Sequence, residues 1–292
     1  MPNYEEDEYL DLLHHTLEKG ETRGNERTGV GTRSIFMTTN RYNLSNGFPL
    51  LTTKRVPFKS VLSELLWFLE GSMNERRLAE IHYGKPKEEL IGKTTIWTAN
   101  ADAQGKALGH YNSDTNKDLG PVYGVQWRNF NGIDQINQLV QGLKNNPQSR
   151  RHILNSWNVS DLDKMALPPC HILYQLYTHV KNGQRYLSAK MYQRSADSFL
   201  GVPFNISSYA ILTHIIANIT GMKTDRLVFT YGDYHIYNNH IDQVKKQLLR
   251  TPRPFPKISF VRNINEITEV TQDDFIITGY NPHNKIYAPM AV

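Results

Sequence analysis

Apolar positions recur with helical spacing in five stretches. Tyr9, Leu10, Leu13 and Leu17 fall on one helix face, and Gly20 sits where a C-terminal cap belongs. Residues 59–70, KSVLSELLWFLE, read as a strongly apolar helix. Residues 133–144 place Ile133, Ile136, Leu139, Val140 and Leu143 on one face, and Asn-Asn-Pro ends them. Residues 206–220 are apolar nearly all round, which predicts a central buried helix capped by Gly221. Residues 237–249 align Tyr237, Ile241, Val244 and Leu248. Strand-like segments lie between them, at 33–38, 151–157, 171–180, 185–193, 226–231, 257–262 and 273–278. In 185–193, Leu187, Ala189 and Met191 alternate with Ser188, Lys190 and Tyr192. There is no regular βαβ rhythm, no internal repeat and no linker-like stretch. The pattern predicts an α+β fold in a single domain over residues 1–292, with one large sheet covered by long helices.

Composition narrows the class. With 21% charged residues, 11% aromatics, 19 Gly and 14 Pro, the chain is globular, not disordered or collagenous. A single cysteine excludes a disulfide framework and any Cys-rich zinc or iron–sulfur site. The start, MPNYEEDEYLDLL, is acidic and lacks the basic and apolar regions of a signal peptide. No run of 18 apolar residues exists, so no membrane span is expected and a cytoplasmic, reducing location follows. Of the 28 acidic residues, six fall in the first 18 positions, leaving 33 bases against 22 acids afterwards. That excess suits an anionic partner such as a nucleotide, a polyanionic cofactor or nucleic acid; a solvated basic surface is the other reading.

Candidate chemistry centres on Cys170 in Leu-Pro-Pro-Cys-His. An ordinary thiol, with a pKa of about 8.5, is only about 3% thiolate at neutral pH, so a nucleophilic cysteine needs a nearby cation. The alternative is a small buried hydrophobe. On a strand the His171 side chain would point the other way, so the cation must come from elsewhere. Arg27, Arg150, Arg151 and Arg194 are the candidates, and Ser195 could add a donor. Neither GxGxxG nor GxxxxGKS/T occurs, so arginines would have to replace a glycine-rich phosphate cradle. Glu64 lies inside the apolar helix; it either snorkels outward or sits in a low-polarity pocket with a raised pKa, which suits proton transfer near neutral pH. Asp197, Asn205, His235 and Tyr237 are further polar residues in apolar surroundings.

Ten ordered segments resemble thymidylate synthase. They are ERTGVGT (26–32), GFPLLTTKR (47–55), SELLWFLEGSMN (63–74), TTIW (94–97), DLGPVYGVQWR (118–128), SRRHILNSWN (149–158), MALPPCH (165–171), YQRSADSFLGVPFNISSYA (192–210), GDYHIYNNH (232–240) and PMAV (289–292). The resemblance implies a large mixed sheet with helices, packed back to back with its copy in a homodimer. It implies dUMP as substrate and 5,10-methylenetetrahydrofolate as co-substrate, with no metal. Cys170 would add to uracil carbon 6, with Arg194 holding the thiolate. Glu64 would manage protons through ordered water, and Tyr123 would help remove the proton at carbon 5. Arg27, Arg194 and Ser195, with Arg150 and Arg151 borrowed from the partner subunit, would hold the phosphate. Asn205 would read the base, and His235 and Tyr237 the sugar 3′-hydroxyl. Glu64, Trp97, Asp197 and Val292 match folate-contacting positions, and Lys54 would meet the glutamate tail.

Four residues depart from the pattern: Thr98 for an aspartate, Tyr234 for a small residue, Asn284 for a proline and Tyr287 for a lysine. An insertion between Trp97 and Asp118 points to a viral-type member. The departures near Trp97 and the tail leave a second reading open: a dUMP hydroxymethylase, in which water captures the methylene before hydride does. A different class, an RNA- or DNA-binding module, lacks support from any helix-turn-helix, RRM or zinc pattern, and leaves RNA binding as a side activity.

Overall fold

The structure is a computed structural model, and it describes residues 2–24 and 28–290. The first helix, α1 (Tyr4–Lys19), starts where Asn3 accepts the Glu6 N–H, and Glu5, Glu6 and Asp7 meet the positive helix end. Tyr9, Leu10, Leu13 and Leu17 are buried, as their spacing predicts. Gly20 does follow the helix, but in an extended conformation rather than the left-handed one of a glycine cap. What the position demands is space: a Cβ there would lie 2.4 Å from the Thr16 carbonyl oxygen.

Two strands follow, β1 (Glu21–Arg23) and β2 (Thr32–Asn43), and then helices α2 (Phe58–Glu70) and α3 (Glu75–Tyr83). A short turn of helix, α4 (Thr98–Asn100), runs into a π turn at Ala101–Gly105. Next come α5 (Tyr123–Arg128), α6 (Gln135–Asn145), β3 (Ile153–Asn155), β4 (His171–Lys181) and β5 (Gln184–Asp197). The chain continues through α7 (Gly201–Ile219), β6 (Lys223–Tyr237), α8 (Ile241–Leu248), β7 (Lys257–Phe260) and β8 (Phe275–Thr278). The α7 helix ends in a Schellman closure: Gly221 at φ +66° donates to Asn218, and Met222 donates to Ala217.

Several elements differ from the periodicity. Tyr237 is the last residue of β6, paired with Thr32, and the helix begins only at Ile241. The strand expected over 151–157 shrinks to Ile153–Asn155, and that over 33–38 extends to Asn43. The β1 strand and the helical turn near residue 100 had no periodic signal, because each is too short to repeat one.

The large sheet has the order β1-β2-β6-β5-β4-β3, and β7-β8 pair separately. Only β5 and β6 are parallel, joined by α7; the other pairs are antiparallel. This arrangement fixes where a site can form. The C-terminal ends of β5 and β6, the start of α7 and the start of the antiparallel β4 all come to one end of the sheet. The inner face of the sheet meets α7, whose residues are buried nearly all round. In turn α2 packs on α7, α3 and α5. Gly124 lets α5 approach α2, since a Cβ there would lie 2.9 Å from the Phe68 carbonyl oxygen. Tyr123 is thereby set against Phe68, with ring centroids 4.9 Å apart. No helix among the described residues is long and apolar enough to cross a membrane.

Candidate active site

A cavity with about 990 Å³ of empty space, part of it open to solvent, lies at that end of the sheet. Cys170, Tyr123, Ser195, Asp197, Asn205, His235 and Tyr237 line it, together with Glu64 and Trp97. Phe68, Ile96, Leu167, Phe204 and Met290 give it an apolar side. A concave, partly apolar volume with convergent polar groups is the usual form of a small-molecule site.

Cys170 is half-buried and precedes β4. The Tyr123 hydroxyl accepts its backbone N–H at 2.6 Å, and its carbonyl accepts the Arg194 N–H at 2.8 Å. The Arg194 guanidinium donates to the carbonyls of Pro169 (2.7 Å) and Pro168 (2.9 Å) and lies 5.2 Å from the Trp157 ring. The two prolines therefore hold the Arg194 guanidinium against the backbone that leads into Cys170, and Arg194 itself does not line the cavity. His171 also lines the cavity, contrary to the expectation from strand alternation. The β4–β5 ladder shifts register between His171 and Leu173, so simple alternation fails there. Burial pushes His171 down to about 4, so it is neutral near pH 7.

Glu64 takes the second of its two readings. It faces the cavity from α2, and Trp97 Nε1 donates to its Oε1 at 2.7 Å. Burial among protein groups pushes its carboxyl up to about 7, against the lowering effect of the Trp97 bond. Tyr123 stays protonated, because burial raises its phenol well above the ordinary range.

Asn205 enters from the second turn of α7. Gln193 Nε2 donates both to the Ser195 carbonyl and to Asn205 Oδ1, each at 3.0 Å. The backbone carbonyl identifies the nitrogen end of Gln193, and so fixes Oδ1 as the acceptor end of Asn205. Gln193 Oε1 and His171 Nδ1 are buried without a hydrogen-bond partner among the described residues, close behind the cavity wall. On β6, His235 Nδ1 lies 3.0 Å from Asp233 Oδ1, which also accepts Ser34 Oγ at 2.7 Å. Burial works to raise the Asp233 carboxyl, but the bonds from His235 and Ser34 hold it below the usual range. Tyr237 packs edge-on against His235.

Asp197 accepts the N–H groups of Phe199 and Leu200 at 3.0 and 3.1 Å, tying the end of β5 to the start of α7. The tail is held near the cavity: the Pro289 carbonyl lies 2.6 Å from His240 Nε2, and Met290 lines the wall.

Other predicted residues lie elsewhere. Lys54 is not on the cavity wall; it is 5% exposed, donates to the Phe199 carbonyl and sits over the Phe199 ring. Burial lowers it to about 7. Arg150 and Arg151 are exposed, and neither lines the cavity of its own chain. Arg27 and Val292 lie outside the described residues. None of Thr98, Tyr234, Asn284 and Tyr287 lines the cavity. Tyr234 faces the core, 5.0 Å from Tyr231, because it alternates with the cavity-facing His235 along β6. Sequence reasoning passed over Phe68, Gln193 and Asp233. The Asp233–His235 pair had a legible signal, being two residues apart on one strand face.

The model of the family described as thymidylate synthase matches residues 7–292. A protein of Escherichia phage T5, named a probable thymidylate synthase, is 46% identical over 289 residues, covering 97% of this chain and 99% of that protein. A cavity uniting Cys170, Glu64, Tyr123 and Asn205, with a family match across almost the whole sequence, places the chain in the thymidylate synthase family, an enzyme family of methyltransferases.

Proposed function

We propose that the chain converts dUMP to dTMP. The observation that carries this reading is the convergence of Cys170, Glu64, Tyr123, Asn205 and His235 on one cavity. The cavity has a polar end suited to a nucleotide, and its apolar side formed by Ile96, Trp97, Phe204 and Met290 suits the flat rings of a folate. When bound, 5,10-methylenetetrahydrofolate supplies the one-carbon unit and the hydride.

Carbon 5 of uracil is a poor nucleophile. Addition of the Cys170 thiolate to carbon 6 turns the ring into an enolate with a nucleophilic carbon 5, which divides one difficult step into easier ones. Arg194, held by Pro168 and Pro169, stabilises the thiolate before addition. The Asn205 amide, oriented by Gln193, offers an N–H to uracil O4 and a carbonyl to N3–H. Glu64, poised near neutral pH, passes a proton to and from O4 through water, and Tyr123 assists loss of the carbon 5 proton. His235, its Nδ1 engaged by Asp233, and Tyr237 hold the sugar hydroxyl. Asp197, Trp97 and Val292 complete the folate side.

The phosphate falls to Arg27, Arg194 and Ser195, with Arg150 and Arg151 donated by a second copy of the chain. In support, both of the latter are exposed and off their own cavity. The outer sheet face also presents Ile153 (41% exposed) and Tyr177 (64% exposed), which a back-to-back sheet pairing would cover.

That none of the four departures lines the cavity favours methylation over hydroxymethylation. The test is a product assay with dUMP and 5,10-methylenetetrahydrofolate. Dihydrofolate absorbance is followed and the nucleotide is weighed by mass spectrometry. Dihydrofolate with dTMP is expected. Tetrahydrofolate with 5-hydroxymethyl-dUMP would replace this reading with the hydroxymethylase. A mixed dimer of Arg150→Ala and Cys170→Ser subunits should regain activity through one intact composite site; no recovery would reject the borrowed arginines.

A further inference from the structure

Glu75 and Arg76, adjacent at the start of α3, are 0% and 1% exposed. Arg76 grips the Glu75 carboxylate with Nε and Nη2 at 2.6 and 2.7 Å, and its Nη1 donates to the carbonyls of Leu90 (3.1 Å) and Lys93 (2.9 Å). Glu75 Oε1 also accepts the hydroxyls of Thr95 and Thr98, each at 2.6 Å. Those hydroxyls are themselves acceptors. Thr95 Oγ1 takes the Trp97 N–H at 3.2 Å, and Thr98 Oγ1 takes the Thr95 N–H at 2.8 Å. The turn that carries Trp97 is thus tied to α3 through one carboxylate. A buried ion pair is weak evidence for stability, since apolar packing often does as well. What this network supplies is fixed geometry for the turn at Trp97, whose indole Nε1 lies 2.7 Å from Glu64 Oε1.

We propose that Glu75 is a positioning residue for the reaction: through Thr95 and Thr98 it holds the Trp97 indole on the Glu64 carboxylate. The catalytic consequence rests on the reading of Glu64 as the group that handles protons at uracil O4; the geometric claim does not. Thr98, a departure from the family pattern, thereby gains a role, as the hydroxyl that meets a carboxylate supplied from α3. The titratable groups sharing a cavity with Glu64, or coupled to it, are Tyr123, Cys170, His171, Asp197, His235, Tyr237, His82 and Tyr209. Among the described residues, Trp97 is the one that donates a hydrogen bond to it. Loosening that bond removes a lowering influence and moves the Glu64 titration upward.

The experiment uses the full-length protein with Thr98→Val, Thr98→Ser and Glu75→Gln. The Glu64 titration is followed by carbon-13 NMR of glutamate-labelled protein, assigned by its disappearance in Glu64→Gln. In Thr98→Val the midpoint should rise from about 7, by about half to one unit. The kcat for dTMP formation should fall by about 10-fold, as a misplaced group predicts, with the dUMP KM nearly unchanged. Thr98→Ser, which keeps the hydroxyl, should behave as the parent. Glu75→Gln should move the midpoint further; should it not fold, the valine–serine contrast decides. A midpoint and kcat unmoved in Thr98→Val overturn the positioning role even in an enzyme that makes dTMP. A moved midpoint in a protein that makes no dTMP overturns the functional reading alone.

Discussion

Glu6 and Glu64 are both enclosed by this fold, and they are enclosed differently. Glu6, on α1, is fully buried and accepts from five donors: the N–H and hydroxyl of Thr52, the N–H and hydroxyl of Thr53, and the Asn3 amide. Glu64, on α2, opens onto the cavity and accepts one hydrogen bond, from Trp97. Burial raises both carboxyls, but the Thr52 and Thr53 bonds work against it at Glu6. The lesson is that burial alone does not mark a reactive carboxylate. A carboxylate whose lone pairs are filled joins parts of the chain; one left under-satisfied beside a cavity can exchange protons with a ligand.

The comparison breaks most visibly in activity. Glu64→Gln should lower kcat by about 10²- to 10⁴-fold, while thermal unfolding is unchanged or slightly delayed. A variant that keeps full turnover would remove Glu64 from the chemistry. Glu6→Ala should do the reverse, strips five donors of their acceptor, and should cost on the order of 4 kcal/mol in urea unfolding. Activity per folded molecule should hold.

The pH dependence of stability sharpens the contrast further. Glu64 titrates at about 7 when folded against 4.5 as its ordinary value. Between those values the folded chain binds the extra proton, so its contribution to stability is complete below about 4.5 and is lost as pH rises through about 7. The loss amounts to about 3 kcal/mol, and Glu64→Gln should flatten that slope in urea titrations at several pH values. The smallest effect belongs to Thr52→Val, which removes one hydroxyl from the Glu6 cluster and should cost about 1 kcal/mol in the same assay.

The long elements were legible in the sequence because their signals are local. The faces of α1, α2 and α6 repeat over several turns, and α7 is apolar on all sides. The cavity residues were reached through motifs rather than periodicity, since nothing in the local pattern around Glu64 chose between solvent and cavity. What stayed hidden depends on partners distant in sequence. Glu6 reads as one more surface acid until Thr52 and Thr53 are folded over it. Nothing local in the sequence marks Glu75–Arg76 as buried; residues 90–98 close over the pair only in the fold. Lys54, matched by resemblance to the glutamate tail, gives no sign in the sequence that its ammonium would sit over the Phe199 ring. Tyr234 stood out in sequence as a bulky departure from the family pattern, and the register of β6 sends it to the core while His235 faces the cavity.

The cavity draws on Glu64, Trp97, Tyr123, Cys170, Asn205, His235 and Met290, spread over most of the chain, and its floor is the parallel junction of β5 and β6. Contacts between such distant segments form late, because each requires a long loop to close first. During refolding from urea, helical signal from α2 and α7 should therefore return before any capacity to bind nucleotide, and turnover should reappear with the slowest global phase. The cavity is complete only when segments from Glu64 to Met290 have come together, so a nascent chain released before β6 has paired should bind no nucleotide.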